Sequence, residues 1–190
     1  QEKLGDMYYY GEVVQRNYPE AAKWYKRASE QEVGPGPCSK LGTMYLLGDG
    51  VARDYPEALY WYLKAYELGD INVTVFISEI YRSEDDLTEA ILWLQKGASN
   101  GNTLAMLDLA EAYVSWKGVK QNYIEAYKWL SVVIAKENDT SAESLFKKIS
   151  ESMSREELLT ARKFASEAVD KYVTLQDKET KEYMKTLEGK

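Results

Sequence analysis

The side chains placed by type and spacing to do chemistry are carboxylates, one thiol and a short glycine-rich turn. Gly48-Asp49-Gly50 offers the glycines of a phosphate cradle. No strand-like run precedes it and no Gly-Lys-Ser/Thr follows, so it reads as a turn between helices. Glu84-Asp85-Asp86 supplies oxygens for a hard cation, but the ligand spacing of a calcium loop is missing, and a solvated interhelix loop accounts for the run. Cys38 stands near the start of a predicted helix, where the dipole lowers a thiol pKa. A nucleophilic thiol also needs a base; the chain has no histidine, so Cys38 reads as a small packing residue. The same absence removes the usual general base and the commonest metal ligand. One cysteine excludes an internal disulfide and a Cys-based zinc site. Carboxylate pairs are plentiful, but 31 Asp and Glu in 190 residues make chance pairs inevitable, and none marks a two-carboxylate hydrolase. The expectation is a non-enzyme without cofactor or metal.

The elements that would position these groups form a repeat. Residues 41–65 read LGTMYLLGDGVARDYPEALYWYLKA; residues 4–28, 37 positions earlier, read LGDMYYYGEVVQRNYPEAAKWYKRA. A marker Tyr and a marker Trp recur as Tyr8/Trp24, Tyr45/Trp61, Tyr81/Trp93 and Tyr113/Trp129, separated by 16, 16, 12 and 16 residues. Self-similarity at this period means stacked helix-turn-helix units. The predicted fold is all-α: a right-handed α-solenoid of four such repeats closed by a C-terminal capping helix pair. The units run over about 1–35, 36–70, 71–102 and 103–138, with a partial unit at 139–152, a capping helix at 153–176 and a charged tail at 177–190.

Within each unit the first helix carries an apolar residue, a small one and the marker: Leu4/Gly5/Tyr8, Leu41/Gly42/Tyr45, Ile77/Ser78/Tyr81 and Leu109/Ala110/Tyr113. The i, i+4 spacing puts the apolar and aromatic residues on one face, and the small residue lets the partner helix approach. The second helix opens at an N-cap candidate, Asn17, Asp54, Asp86 or Asn122. Pro19 and Pro56 follow in the first turn, then Glu-Ala and the Trp. The marker Tyr and Trp residues are expected in the core, with Val51 as a buried loop anchor. The third unit lacks four loop residues. Gly34-Pro35-Gly36-Pro37 breaks the chain between helices without ending the repeat phase. Ser154-Arg155-Glu156-Glu157 has capping-box spacing, and Leu158, Ala161, Ala165, Ala168, Val169, Tyr172 and Leu175 form one face of the closing helix.

Net charge is -7 with both signs interspersed, which disfavours a nucleic-acid partner, since phosphate backbones are met by a basic face. No apolar run approaches the ~18 residues of a membrane span. Residue 1 is Gln, and Leu4 is already in repeat phase, so a targeting segment is expected upstream, with a periplasmic or envelope location favoured over a cytoplasmic one. Asn72 and Asn138 head N-x-T triplets that read as chance.

The string L-G-x-x-Y-x-x-G-x-G-V-x-x-D-Y-x-E-A-x-x-W-Y-x-K-A resembles the Sel-like repeat (SLR) family, relatives of the tetratricopeptide repeat. Residues 41–65 match almost throughout, 4–28 nearly as well, 109–133 partially (Ala110 for Gly, Trp116 for the first loop Gly), and 77–97 weakly. Met153 to Glu157 followed by Ala161-Arg162 is similar to the end helix of bacterial members. The resemblance implies an α-solenoid with a concave face that serves as an adaptor or scaffold. In some bacterial members it implies an immunity protein against a toxic effector.

By analogy with tetratricopeptide helix pairs, the concave side takes first-helix residues two, five and six beyond the apolar marker. Those are Asp6, Tyr9 and Tyr10; Thr43, Leu46 and Leu47; Glu79, Arg82 and Ser83; Glu111, Val114 and Ser115. Tyr9, Tyr10, Leu46, Leu47 and Val114 form an apolar strip rimmed by carboxylates, with Trp116 at its edge. Tyr and Trp are favoured interface anchors, so a partner protein is expected there. The alternative is that these side chains pack between adjacent first helices. A dedicated inhibitor of a secreted enzyme or toxin is the narrower expectation.

Overall fold

The computed structural model describes residues 1–31, 34–137 and 139–173. Among the described residues there are ten α-helices, one 3-10 turn and no strand. The helices are α1 (Glu2–Tyr10), α2 (Tyr18–Ser29), α3 (Gly36–Leu47), α4 (Tyr55–Glu67), α5 (Thr74–Ser83), α6 (Leu87–Ser99), α7 (Thr103–Ser115), α8 (Tyr123–Glu137), α9 (Thr140–Ser152) and α10 (Arg155–Tyr172). The 3-10 turn, Ile71–Val73, leads into α5. The architecture is the expected all-α solenoid of helical repeats. The chain divides into two compact units, Gln1–Asp86 and Leu87–Lys190. The division falls in the shortened loop of the third repeat rather than at Gly34 to Pro37.

Local chemistry explains the boundaries. The Asn17 and Asp54 side chains accept from the N–H of Glu20 and Glu57 at 3.1 and 2.9 Å, capping α2 and α4, and prolines occupy their first turns. Asn122 caps α8 in the same way through Glu125 N–H, at 3.1 Å. Ser154 and Glu157 form the full capping box of α10. One backbone bond recurs in all four repeats. The N–H at the second-helix cap donates to the marker tyrosine carbonyl: Asn17 to Tyr8, Asp54 to Tyr45, Asp86 to Tyr81 and Asn122 to Tyr113, at 2.8–3.0 Å. The third repeat closes the same bond across a loop four residues shorter, so the missing residues change the loop and not the way it is pinned.

The small first-helix residue works as expected, and the structure names what fills the space. A Cβ on Gly42 would sit 2.6 Å from the Tyr62 ring, and one on Gly5 would collide with the Tyr25 ring. Tyr25, Tyr62 and Tyr127 are the fully buried tyrosines of the core. This corrects the expectation for the markers. Tyr8, Tyr45, Tyr81, Tyr113 and Trp24 are half-buried, whereas Trp61, Trp93 and Trp129 are buried. The marker tyrosines lie at the end of each first helix, where the chain turns into the loop, and the residue following the Trp takes the deeper place: Tyr25, Tyr62, Leu94 and Leu130. Val51 is half-buried rather than a fully buried anchor. Cys38 is fully buried in α3, as a packing residue would be. Leu4 is 40% exposed, while Leu41, Ile77 and Leu109 at the same repeat position are buried. The helix α1 packs chiefly on α2, whereas α3 is covered by both α2 and α4.

In the second unit, α8 is the centre, packed by α7, α9 and α10. Ala126 to Leu130, less Lys128, and the run Ser131 to Ala135 are buried there. The small residues Ala161, Ala165 and Ala168 let α10 close on it. Leu158, Val169 and Tyr172 on the predicted α10 face are half-buried; Leu175 and Asn138 lie outside the described residues.

Candidate functional site

In the first unit the end of α1, the first turns of α3 and the start of α5 meet at a groove of about 170 Å³. Tyr9, Tyr10 and Thr43 of the expected concave face line it. Ser39, Lys40, Asp70 and Phe76 line it too, and the sequence reading missed them. A signal was present: Ser39 and Thr43 are four apart on α3, hence on one helix face.

Polar side chains tie consecutive repeats together around this groove. Lys40 Nζ donates to Asp6 at 2.5 Å and to Glu2 at 3.0 Å. The Tyr25 hydroxyl also donates to Asp6, at 2.8 Å. The Ser39 hydroxyl donates to Asp70 at 2.6 Å, whose other oxygen accepts the Asn72 backbone N–H at 3.0 Å. The Tyr9 hydroxyl donates to Asp49 across to the next repeat's loop, at 2.8 Å. Thr43 and Tyr62 hydroxyls bond at 3.0 Å, and Tyr62 stacks on Phe76 with centroids 5.3 Å apart. Asp6 is therefore less a free rim carboxylate than the centre of a three-residue link.

These surroundings move the titrations. Burial, followed by the bond to Asp49, pushes the Tyr9 phenol up to about 12. Burial also pushes Tyr62 up to about 12, against a small lowering by the Thr43 bond. Tyr25 is pushed up by burial and by Asp6. Burial disfavours the Lys40 ammonium, but Asp6 and Glu2 outweigh it and hold its pKa above the ordinary lysine value. All four groups keep their neutral-pH charge state, which suits a fixed surface rather than proton transfer.

The remaining residues of the expected concave face fall as follows. Leu46 is half-buried; Tyr10 and Leu47 are 53% and 60% exposed. Glu79 and Arg82 in α5 pair with each other at 2.5 Å, and Ser83 donates to the Ile80 carbonyl. In the second unit Glu111 and Ser115 are exposed and Val114 is half-buried. Trp116 is half-buried at the C-terminal end of α7. A second cleft, of about 460 Å³, lies between α8 and α10 beside Lys128, Trp129 and Phe164. Among the described residues no group of three or more Cys, Asp or Glu is arranged to hold a metal ion, and no helix is long and apolar enough to cross a membrane.

A family model described as Sel1 repeat matches residues 1–33, 38–70, 82–102 and 103–131. The third matched stretch is the shortest, in keeping with the shortened loop. The chain is similar to a Sel1 repeat protein from Oxalobacter formigenes, at 27% identity and a TM-score of 0.69, over 87% of this chain and 71% of that one. It is also similar to a protective antigen of SLR fold present in uropathogenic Escherichia coli strains, at 20% identity and a TM-score of 0.55, over 98% of this chain and 47% of that one. The second likeness bears on the fold alone. No curated protein matches the chain.

Proposed function

The chain belongs to the Sel1 repeat family, whose members are generally protein–protein interaction modules, and we propose that it is a non-catalytic module binding a partner protein through its first-helix face. One observation carries this. Tyr10 and Leu47 occupy the same repeat position, six beyond the apolar marker, and both leave more than half of a large apolar side chain in water. Exposed apolar side chains at equivalent positions beside an aromatic groove form the anchor-and-pocket arrangement of interface centres. The hydrogen bonds linking Lys40, Asp6, Ser39, Asp70, Tyr9 and Asp49 support the reading by fixing the surface before a partner arrives, which lowers the ordering cost of binding.

The test is affinity capture from the source organism's lysate and secreted fraction, with a Tyr10→Ala/Leu47→Asp double variant as control. Both side chains are exposed, so the variant keeps its fold. A dominant partner lost in the variant supports the first-helix face. A partner retained at full strength refutes it. If the partner is an enzyme, its activity with and without this chain separates a dedicated inhibitor from a scaffold.

A further inference from the structure

Five aromatic rings line the groove of the first unit: Tyr9, Tyr10, Tyr25, Tyr62 and Phe76. At about 170 Å³ it is smaller than the roughly 300–1,000 Å³ of small-molecule sites, so its occupant is one side chain rather than a whole cofactor. Tyr10 and Phe76 leave 53% and 40% of their surface exposed on its walls.

The charges choose the occupant's sign. Lys40 lies 5.3 Å from the Tyr25 ring centroid, so this wall already accepts one ammonium. Asp6 and Glu2 offset that ammonium. Asp70 is different: its two oxygens accept from the Ser39 hydroxyl and the Asn72 N–H, both neutral donors. A carboxylate has about four acceptor directions, so Asp70 keeps capacity for a further donor. Asp49 behind Tyr9 likewise bonds to a neutral phenol. An anionic group entering here would have to displace Asp6 and Glu2 from Lys40 and approach Asp70. A cation meets π-faces and an under-neutralised carboxylate.

We propose that this groove takes a cationic side chain, arginine or lysine, from the partner protein, its carbons lying against Tyr10 and Phe76 and its charge against Asp70. The proposal rests on the interaction reading above and deepens it.

The probe is N-acetyl-arginine methylamide, with the isosteric citrulline derivative as neutral control, titrated into the full chain and followed by amide NMR. The expected result is saturable shifts at Ser39, Asn72 and Phe76 with the arginine compound and none with citrulline. Asp70→Asn keeps an oxygen for the Asn72 N–H and removes the charge; it weakens binding about tenfold or more, the size of a lost charge-assisted bond. Phe76→Leu, which keeps an apolar wall, weakens it several-fold. Absence of saturation, equal shifts with citrulline, or an unchanged affinity in Asp70→Asn overturns the proposal. If a partner is lost in Tyr10→Ala/Leu47→Asp but no cation saturates the groove, the interface stands and the cation proposal falls. If arginine saturates the groove and no partner depends on Tyr10 and Leu47, the cation site stands and the interface reading falls.

Discussion

Gly42→Ala should be destabilising in the native chain and stabilising once Tyr62 is replaced by Leu. In a helix interior, alanine gains about 0.5–1 kcal/mol over glycine. Here the new Cβ would lie 2.6–2.9 Å from three carbons of the Tyr62 ring. That ring cannot step aside freely. It is fully buried, stacked on Phe76 and held by Thr43 through its hydroxyl. Overpacking of this kind costs about 1–3 kcal/mol, which outweighs the helix gain and leaves a net loss of up to about 2.5 kcal/mol for the single variant. Tyr62→Leu alone loses the stack and the hydroxyl bond, at about 2–3 kcal/mol. With the ring gone, Gly42→Ala should recover its helix gain of about 0.5–1 kcal/mol, a coupling of about 1–3 kcal/mol, within the range seen for contacting residues. The fourth repeat already uses the combination: Ala110 and Leu130 stand at the equivalent positions, both fully buried. Urea unfolding of the four proteins by circular dichroism measures the cycle, with the slope checked for constancy. A stabilising Gly42→Ala in the native chain, or the same cost in both backgrounds, would refute the argument that the tyrosine ring demands the glycine.

Raising the pH should unfold the first unit between about 10 and 12. Tyr9 and Tyr62 have folded-state pKa values raised to about 12 from 10, so their contribution is complete below pH 10 and is lost as pH climbs through the folded value. Phenolate absorbance lagging behind model tyrosine and then rising together with loss of helix is the expected trace; early, complete ionisation with the helix intact contradicts it. Gly50→Ala should cost about 1–3 kcal/mol or more, because φ is +72° and the new Cβ would meet the Tyr18 and Pro19 backbone of the preceding repeat; a melting curve within error of the native chain tells against that contact. Trp129 Nε1 is buried without a hydrogen-bond partner among the described residues, while the equivalent Trp61 donates to Glu57 at 3.1 Å. The corresponding carboxylate, Glu125, is held by Lys128 at 2.5 Å. Lys128→Gln should release it, and the Trp129 indole N–H resonance should move downfield; an unmoved resonance shows that Glu125 does not reach it. Ser154→Ala should cost about 1 kcal/mol by removing half of the α10 capping box, read from the second unit's unfolding midpoint.

The fold was legible because the repeat fixes several local choices at once. Asn17, Asp54, Pro19, Pro56 and the Ser154 box set helix starts by short-range chemistry, and the structure places the starts there. The core was less legible at one position. The tyrosine after the Trp of the first two repeats looks like surface decoration in the motif, since Tyr25 and Tyr62 follow Lys23-Trp24 and Tyr60-Trp61. Its depth comes from a distant residue, the first-helix glycine, and a pairing across 20 positions leaves no trace in a helical period.

The same limit applies to the groove. The first-helix rule found Tyr9, Tyr10 and Thr43 because those positions recur with the repeat. Phe76 belongs to the helix that opens the third repeat, and Asp70 caps the 3-10 turn leading into it, at the boundary where the sequence begins to depart furthest from the family pattern. Repetition predicts what every unit shares and is silent on what one unit alone contributes. A site built on a solenoid must differ from repeat to repeat to select one partner. On the proposed interface, specificity would rest on the residues the periodic pattern hides: Ser39 and Lys40 just before the α3 marker, and Asp70 beside them. Their bonds to Asp70, Asp6 and Glu2 tie the first repeat, the second and the turn that leads into the third into one surface. Substituting Lys40 would thus act twice, releasing α1 from α3 and leaving Asp6 and Glu2 without their cation. That is why the exposed Tyr10 and Leu47, rather than Lys40, are the positions at which loss of a partner can be read as loss of contact.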